Sequence, residues 1–160
     1  MTGNIGCTWN AELYSHPVRV VGVDVGLRRI GLALSDATAL LASPWKTLDA
    51  TADPARDADR IADTVRSELG PQADDLQAIV IGHPRRLDGS ATHLTGHVEA
   101  VAAALRDRFG VPVVLQDERL TSHEAEQRLA AREKDWRARK RKLDAAAAAV
   151  MLQDYLDSIR

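Results

Sequence analysis

A run of β-branched residues broken by a single carboxylate constrains this chain more than any other feature. In VVGVDVGLRRIGLALSD, Val20 to Asp36, the residues Val20, Val21, Val23 and Val25 have the character of a buried central strand. Asp24 stands in the middle of it. An ionised carboxylate in such surroundings is costly unless a cation or hydrogen-bond donors compensate it. Gly26 and Leu27 to Arg29 then make a tight turn into a second strand, Ile30 to Ser35. There Ile30, Leu32 and Leu34 alternate with Gly31, Ala33 and Ser35, the period of two of a strand. Asp24 could cap this hairpin by accepting N–H bonds from Gly26 or Leu27. It sits two residues before the turn, however, where a turn aspartate is less usual.

The rest of the chain alternates strands with helices. LLASPWKTL reads as a third strand, which Pro44 assigns to an edge. Asp53 to Leu69 reads as a helix, with Ile61, Val65 and Leu69 spaced by four and Gly70-Pro71 as its stop. LQAIVIG, Leu76 to Gly82, is a wholly apolar strand followed by the loop HPRRLDGS. A helix is expected over Thr92 to Phe109, then a buried strand in VPVVLQDE. Thr121 and Glu124 form a capping box opening another helix. A basic loop leads to the last helix, Asp144 to Ile159. This pattern predicts an α/β fold: a five-stranded mixed sheet with helices on its faces and its first, fourth and fifth strands parallel. Ligands of such sheets gather beyond the carboxyl ends of the strands. Asp24, the loop after Gly82 and Asp117-Glu118 all fall at that edge.

With 160 residues the chain has the length of one domain. That domain is expected over 18–160, after a poorly ordered extension at 1–17. A formal net charge of −2 gives no whole-molecule argument for nucleic acid, so any such argument must be local. The single cysteine, Cys7, excludes an intrachain disulfide and a cysteine-rich zinc site. Met1 to Pro17 has no apolar core of a secretory signal, and no apolar run is long enough to span a bilayer. The expectation is a soluble protein of a reducing compartment with no membrane partner.

Three acids are candidates for chemistry. Asp144 precedes the helical run LDAAAAAVMLQDYL and reads first as an N-cap. Yet Asp144, Ala148, Met151, Leu152 and Tyr155 share one helical stripe, which puts the carboxylate on the buried face. The small residues Ala145 to Ala149 let that helix lie close to the sheet. Asp117-Glu118-Arg119 ends a buried strand and could simply mark its exit from the core, with Glu118 paired to Arg119. If the fourth strand lies between the first and fifth, those flanking strands are about 10 Å apart, too far for Asp24 and Glu118 to share a proton. Two Mg²⁺ about 3.5–4 Å apart would bridge that gap. With no lysine in the motif, divalent metal is the economical compensation for Asp24, Glu118 and Asp144.

The loop GHPRRLDGS could be an ordinary connection or, through Arg85 and Arg86, a phosphate holder. His83 could protonate a leaving oxygen. Asp88 reads as a turn residue. Arg132 to Lys142 carries Arg137, Arg139, Lys140, Arg141 and Lys142 immediately before Asp144, where a polyanion backbone would be gripped. Trp136 within it could stack on a base or pack locally.

VGVDVGLRRIGLALSD, IVIGHPRRLDG, LQDERLTSHEAEQRL and KLDAAAAAVMLQDYL together resemble the motifs of the YqgF/RuvX family of the RNase H-like superfamily, in order, over about Arg19 to Leu156. The resemblance implies an RNase H-like sheet of order 3-2-1-4-5 and metal-dependent hydrolysis of nucleic-acid phosphodiesters. It implies Asp24, Glu118 and Asp144 as catalytic, metal-holding acids for Mg²⁺ or Mn²⁺. The family is described as acting on pre-16S rRNA in the cytoplasm during ribosome biogenesis, and in older usage as related to Holliday-junction resolvases. Arg119, Arg85 and Arg86 would position the phosphate. The loop departs from the family pattern at His83, where leucine is usual, and in charged Arg85 and Arg86. Precursor rRNA, branched DNA, and a non-catalytic rRNA-binding role all remain open, as do monomer and homodimer. An actin-like ATPase lobe shares the D-x-G hairpin but needs a second lobe that one domain of this size lacks.

Overall fold

A computed structural model describes residues 17–84, 88–117 and 136–160, with the side chains of 136–140 set aside. The strands are β1 (Arg19–Val25), β2 (Arg29–Ser35), β3 (Ala42–Asp49), β4 (Leu76–His83) and β5 (Val113–Asp117). The helices are α1 (Pro54–Leu69), α2 (Thr95–Arg108) and α3 (Trp136–Ser158). The strands form one sheet in the order β3-β2-β1-β4-β5. β1 pairs antiparallel with β2 and parallel with β4, and β5 is parallel to β4. This is the mixed sheet expected from the pattern, in the strand order that the family resemblance implies. The N-terminal extension and the capping box at Thr121 lie outside the described residues.

The pleat divides the strands between two layers. Val21, Val23 and Val25 of β1 join Ile79 and Ile81 of β4 in a core covered by α1 and α2. Residues of the opposite parity, Val20, Ala33, Ala78 and Val80, meet Ala148, Met151, Leu152 and Leu156 of α3. Fully buried Met151 and Leu152 each contribute about 1.5–3 kcal/mol by leaving water. The strand residues on this side are small, so α3 lies close: a Cβ added at Gly22 would stand 2.9 Å from Leu152 Cβ.

The helix ends follow local chemistry. Asp53 caps α1 by accepting from Ala55 N at 3.0 Å, Pro54 follows it, and Gly70 at φ +89° ends the helix. α2 starts at Thr95, not Thr92. The Thr95 hydroxyl accepts from Thr92 N and donates to the Pro84 carbonyl, so this stretch spends its polar groups on a turn.

The last helix is longer than expected. The basic stretch from Trp136 is helical, not a loop, and Asp144 lies inside the helix, not at its cap. Arginine, lysine, alanine and leucine are good helix formers, and neither glycine nor proline interrupts 136–144. No helix among the described residues is long and apolar enough to cross a membrane.

Candidate active site

Asp24 is the penultimate residue of β1, half-buried, and pairs across the hairpin with Gly31. It shares parity with Val20 and Gly22, so its side chain rises on the α3 face. Gly31 has no side chain there, and the main chain of Asp144 fills the space. A Cβ on Gly31 would lie 2.0 Å from the Asp144 carbonyl oxygen. Directly opposed residues of an antiparallel pair hold their Cβ positions about 5 Å apart. The hairpin and the helix therefore bring Asp24 and Asp144 to one place on the sheet, although they are remote in the chain.

A cation already stands beside this pair. Arg29 Nε donates to Asp144 Oδ2 at 2.7 Å, with the two side chains 30% and 28% exposed. Arg29 comes from the same motif as Asp24. In the sequence Arg29 looks like part of the turn Leu27 to Arg29, and no lysine in the motif marks a cation there. Parity was the available signal: Arg29, Gly31 and Ala33 alternate on the face that α3 covers.

Across the sheet, Val23 pairs with Ile81 and Ile81 with Leu115, and one step on Gly82 pairs with Gln116 and His83 with Asp117. The carboxyl ends of β1, β4 and β5 thus reach one edge together. His83, however, is buried on the opposite face, its Nε2 3.0 Å from Glu99 Oε1 of α2. This location separates it from the carboxylate pair. Asp88 accepts from Ser90 N at 2.8 Å, and hydrogen bonds from Ser90 hold its carboxyl below the usual range. It is a turn residue, as expected.

Arg141 and Lys142 are exposed on α3, one turn before Asp144. The Arg141 carbonyl accepts from Thr47 Oγ1 at 2.6 Å, and Arg141 Nη2 lies 3.9 Å from Asp49 Oδ1. These contacts tie the basic part of α3 to the end of β3. Arg137, Arg139 and Lys140 belong to the same helix, and their side chains are outside the described set. Glu118, Arg119, Arg85 and Arg86 lie outside the described residues altogether.

Among the described residues, no group of three histidine, cysteine, aspartate or glutamate side chains is placed to hold a metal ion. Asp24 and Asp144 would be two members of such a set. Their hard carboxylate oxygens are of the type that Mg²⁺ and Mn²⁺ select, so the donor chemistry fits.

Comparison with known proteins agrees with this architecture. A family model described as "RuvX: Holliday junction resolvase" matches residues 18–158. A protein of Roseiflexus sp. named "Putative pre-16S rRNA nuclease" is 37% identical over 91% of this chain and 99% of its own length. One of the same name from Protochlamydia amoebophila is 32% identical over 89% of this chain and 95% of its own. Among solved structures, T. thermophilus RuvC in complex with a Holliday junction substrate superposes with a TM-score of 0.52 at 17% identity. That match covers 89% of this chain and 95% of that one, and it shows a shared fold.

Proposed function

Because the chain belongs to the RuvX family, we propose that it is a metal-dependent nuclease hydrolysing phosphodiester bonds of precursor 16S rRNA in the cytoplasm. The observation that carries this reading is the seating of the Asp144 main chain over Gly31, directly across the ladder from Asp24. A sheet edge with two convergent carboxylates beside a basic helix is suited to phosphate chemistry, not to stacking recognition alone.

Asp24 and Asp144, with Glu118 from the end of the fifth strand, would hold Mg²⁺ or Mn²⁺. When bound, such ions lower the pKa of water and stabilise a leaving oxygen. The chain's own groups do the rest. Arg29 balances the Asp144 carboxylate and fixes its orientation. Arg119, Arg85 and Arg86 hold the scissile phosphate through charge-assisted bonds. Arg137, Arg139, Lys140, Arg141 and Lys142 bind the flanking backbone, giving an affinity that falls with salt.

The test is cleavage of labelled precursor 16S rRNA beside a four-way DNA junction, with and without Mg²⁺ or Mn²⁺. Metal-dependent shortening of the rRNA, abolished in Asp24→Asn with binding retained, is the expected result. Wild-type cutting by Asp24→Asn would overturn the mechanism. The family description favours the junction as the second reading, and cutting of the junction alone would establish it. A junction cutter acting symmetrically would need two copies of the chain.

A further inference from the structure

We infer that the tip of the β1–β2 hairpin, Leu27 and Arg28, is a substrate-reading element of the carboxylate edge. Leu27 enters a base step where stacking is interrupted, and Arg28 holds a backbone phosphate beside it. This inference rests on the nuclease reading and names the feature of the substrate that the same edge selects.

Leu27 is 59% exposed. The other large hydrophobic side chains exposed among the described residues are Leu40, Leu41 and Ile159. Those three belong to the opposite edge, where β2 and α3 both end. Leu40 and Ile159 line one groove there, and Gln153 Nε2 of α3 donates to the Leu40 carbonyl at 3.0 Å. Leu27 stands apart from them, three residues beyond Asp24 and at the edge where the carboxylates meet.

One exposed leucine ordinarily needs no explanation. This one occupies a turn position that ordinarily goes to other residues. A two-residue hairpin loop favours asparagine, aspartate or glycine. Here the ladder closes at Val25–Ile30, and Gly26 N donates to the Arg29 carbonyl at 2.9 Å, leaving Leu27 and Arg28 as the loop. Ala50 N, just after β3, donates to the Arg28 carbonyl at 2.9 Å and braces the tip from the other side. A local rule broken in a firmly held turn is a mark of function. A tip already fixed loses little conformational entropy when it meets a ligand.

Arg28 is exposed, and among the described residues its guanidinium makes no hydrogen bond or ion pair. Arg19, Arg66, Arg106 and Arg108 each give a hydrogen bond to a main-chain carbonyl, and Arg29 is engaged by Asp144. Asp49, across the ladder from Arg29, lies 3.9 Å from Arg141. Arg28 is thus left for an external anion.

The two neighbours together fit a nucleic acid: a cation for phosphate, and a leucine of the kind that proteins insert between base steps. A protein partner would need far more apolar area than one leucine supplies. Three residues of chain span at most about 11 Å, or about three nucleotides at 3.4 Å of rise each, so the tip reads close to the carboxylates. Opening an intact step costs stacking and pairing, and the cost is least where a base is mismatched or unpaired. Leu27 therefore favours an interrupted helix over a continuous one.

The experiment measures binding of two fluorescein-labelled RNA duplexes by anisotropy, one continuous and one with a single unpaired adenine, with EDTA present to prevent cleavage. The wild-type chain should bind the interrupted duplex more tightly. Leu27→Ser, at an exposed position, should weaken that complex about 5- to 30-fold, the contact of part of one leucine, and change the continuous one less than about 2-fold. Leu27→Met should keep most of the preference. Arg28→Ala should weaken both complexes and lower the slope of log K against log salt by about one phosphate contact. Leu41→Ser, exposed at the far edge, should leave both affinities unchanged. Three results would each overturn the inference: no preference in the wild type, equal loss on both duplexes from Leu27→Ser, or a wild-type salt slope in Arg28→Ala. The nuclease reading fails separately: a wild-type chain whose preference depends on Leu27 but that cuts nothing with Mg²⁺ or Mn²⁺ leaves the tip standing. Wild-type binding of both duplexes by Leu27→Ser, in an enzyme that Asp24→Asn inactivates, removes only the tip.

Discussion

Gly31→Ala is the most informative single change in this molecule. The added Cβ would fall 2.0 Å from the Asp144 carbonyl oxygen, 2.3 Å from its carbonyl carbon and 2.9 Å from Ala145 N. All three are main-chain atoms, so no rotamer relieves the clash. Carbon–oxygen contacts of this kind settle at about 3.3 Å, so α3 must retreat by about 1 Å. A radial gap of that size forfeits about a quarter to a half of each dispersion contact beneath the helix. The layer affected includes Ala148, Met151 and Leu152. Overpacking of this kind costs about 1–3 kcal/mol, and we expect the upper end because the obstacle is backbone. A 1 Å displacement of Asp144 relative to Asp24 should also lower cleavage by about 100-fold. Urea unfolding by circular dichroism reads the first effect, and single-turnover cleavage at saturating metal reads the second. Gly22→Ala is the internal comparison: its closest contact is the Leu152 side chain at 2.9 Å, so it should cost less. Adding Asp144→Ala to Gly31→Ala should not restore stability, because the clash is with the main chain of residue 144. Gly31→Ala with an unchanged urea midpoint, or a double variant that recovers it, would refute the account.

Three further outcomes are expected. Arg29→Ala removes a positive charge 2.7 Å from Asp144 Oδ2, so Mn²⁺ titrated calorimetrically into the chain should bind several-fold more tightly, while stability falls by about 0.5–1 kcal/mol because the pair is part-exposed; weaker Mn²⁺ binding would show that Arg29 orients the ligand more than it competes. Asp57→Ala should destabilise the fold by about 2–4 kcal/mol in urea, since this fully buried carboxylate accepts from both Thr51 N and the Thr51 hydroxyl at 2.7 and 2.8 Å. Burial raises the Asp36 pKa, but hydrogen bonds from Leu40 N, the Thr38 hydroxyl and Leu41 N outweigh it and hold the carboxyl below its usual range. A folded-state value below the unfolded one means its stabilisation is complete above the unfolded pKa and disappears as the pH falls through the folded one. Asp36→Asn should therefore lower the urea midpoint at neutral pH and narrow the gap to wild type in acid.

Much of this arrangement was legible in the chain itself. The alternation in Ile30 to Ser35, the unbroken apolar run at Leu76 and the stop at Gly70 report local preferences that tertiary context did not overturn. The hairpin and two crossovers gave the parallel strands, and the family resemblance implied the strand order that the sheet shows. The start of α3 was not legible, because Asp144 has the chemistry of a cap and only the absence of breakers before it argued otherwise. His83 stood in a promising loop, yet its parity sends it to Glu99 on the far face. Arg29 escaped notice because a turn arginine looks like solvent-exposed charge until a helix more than a hundred residues on covers it.

The chain's pattern by itself determined most of its elements and the parallel run of its first, fourth and fifth strands, and it marked which carboxylates to watch, because period and punctuation are local properties. Only the folded molecule decided that the Asp144 main chain seats on Gly31, across the ladder from Asp24, and that Arg29 pairs with the Asp144 carboxylate. Those are contacts between segments remote in sequence. They depend on the depth to which one helix settles on one sheet, a quantity that no window of residues encodes.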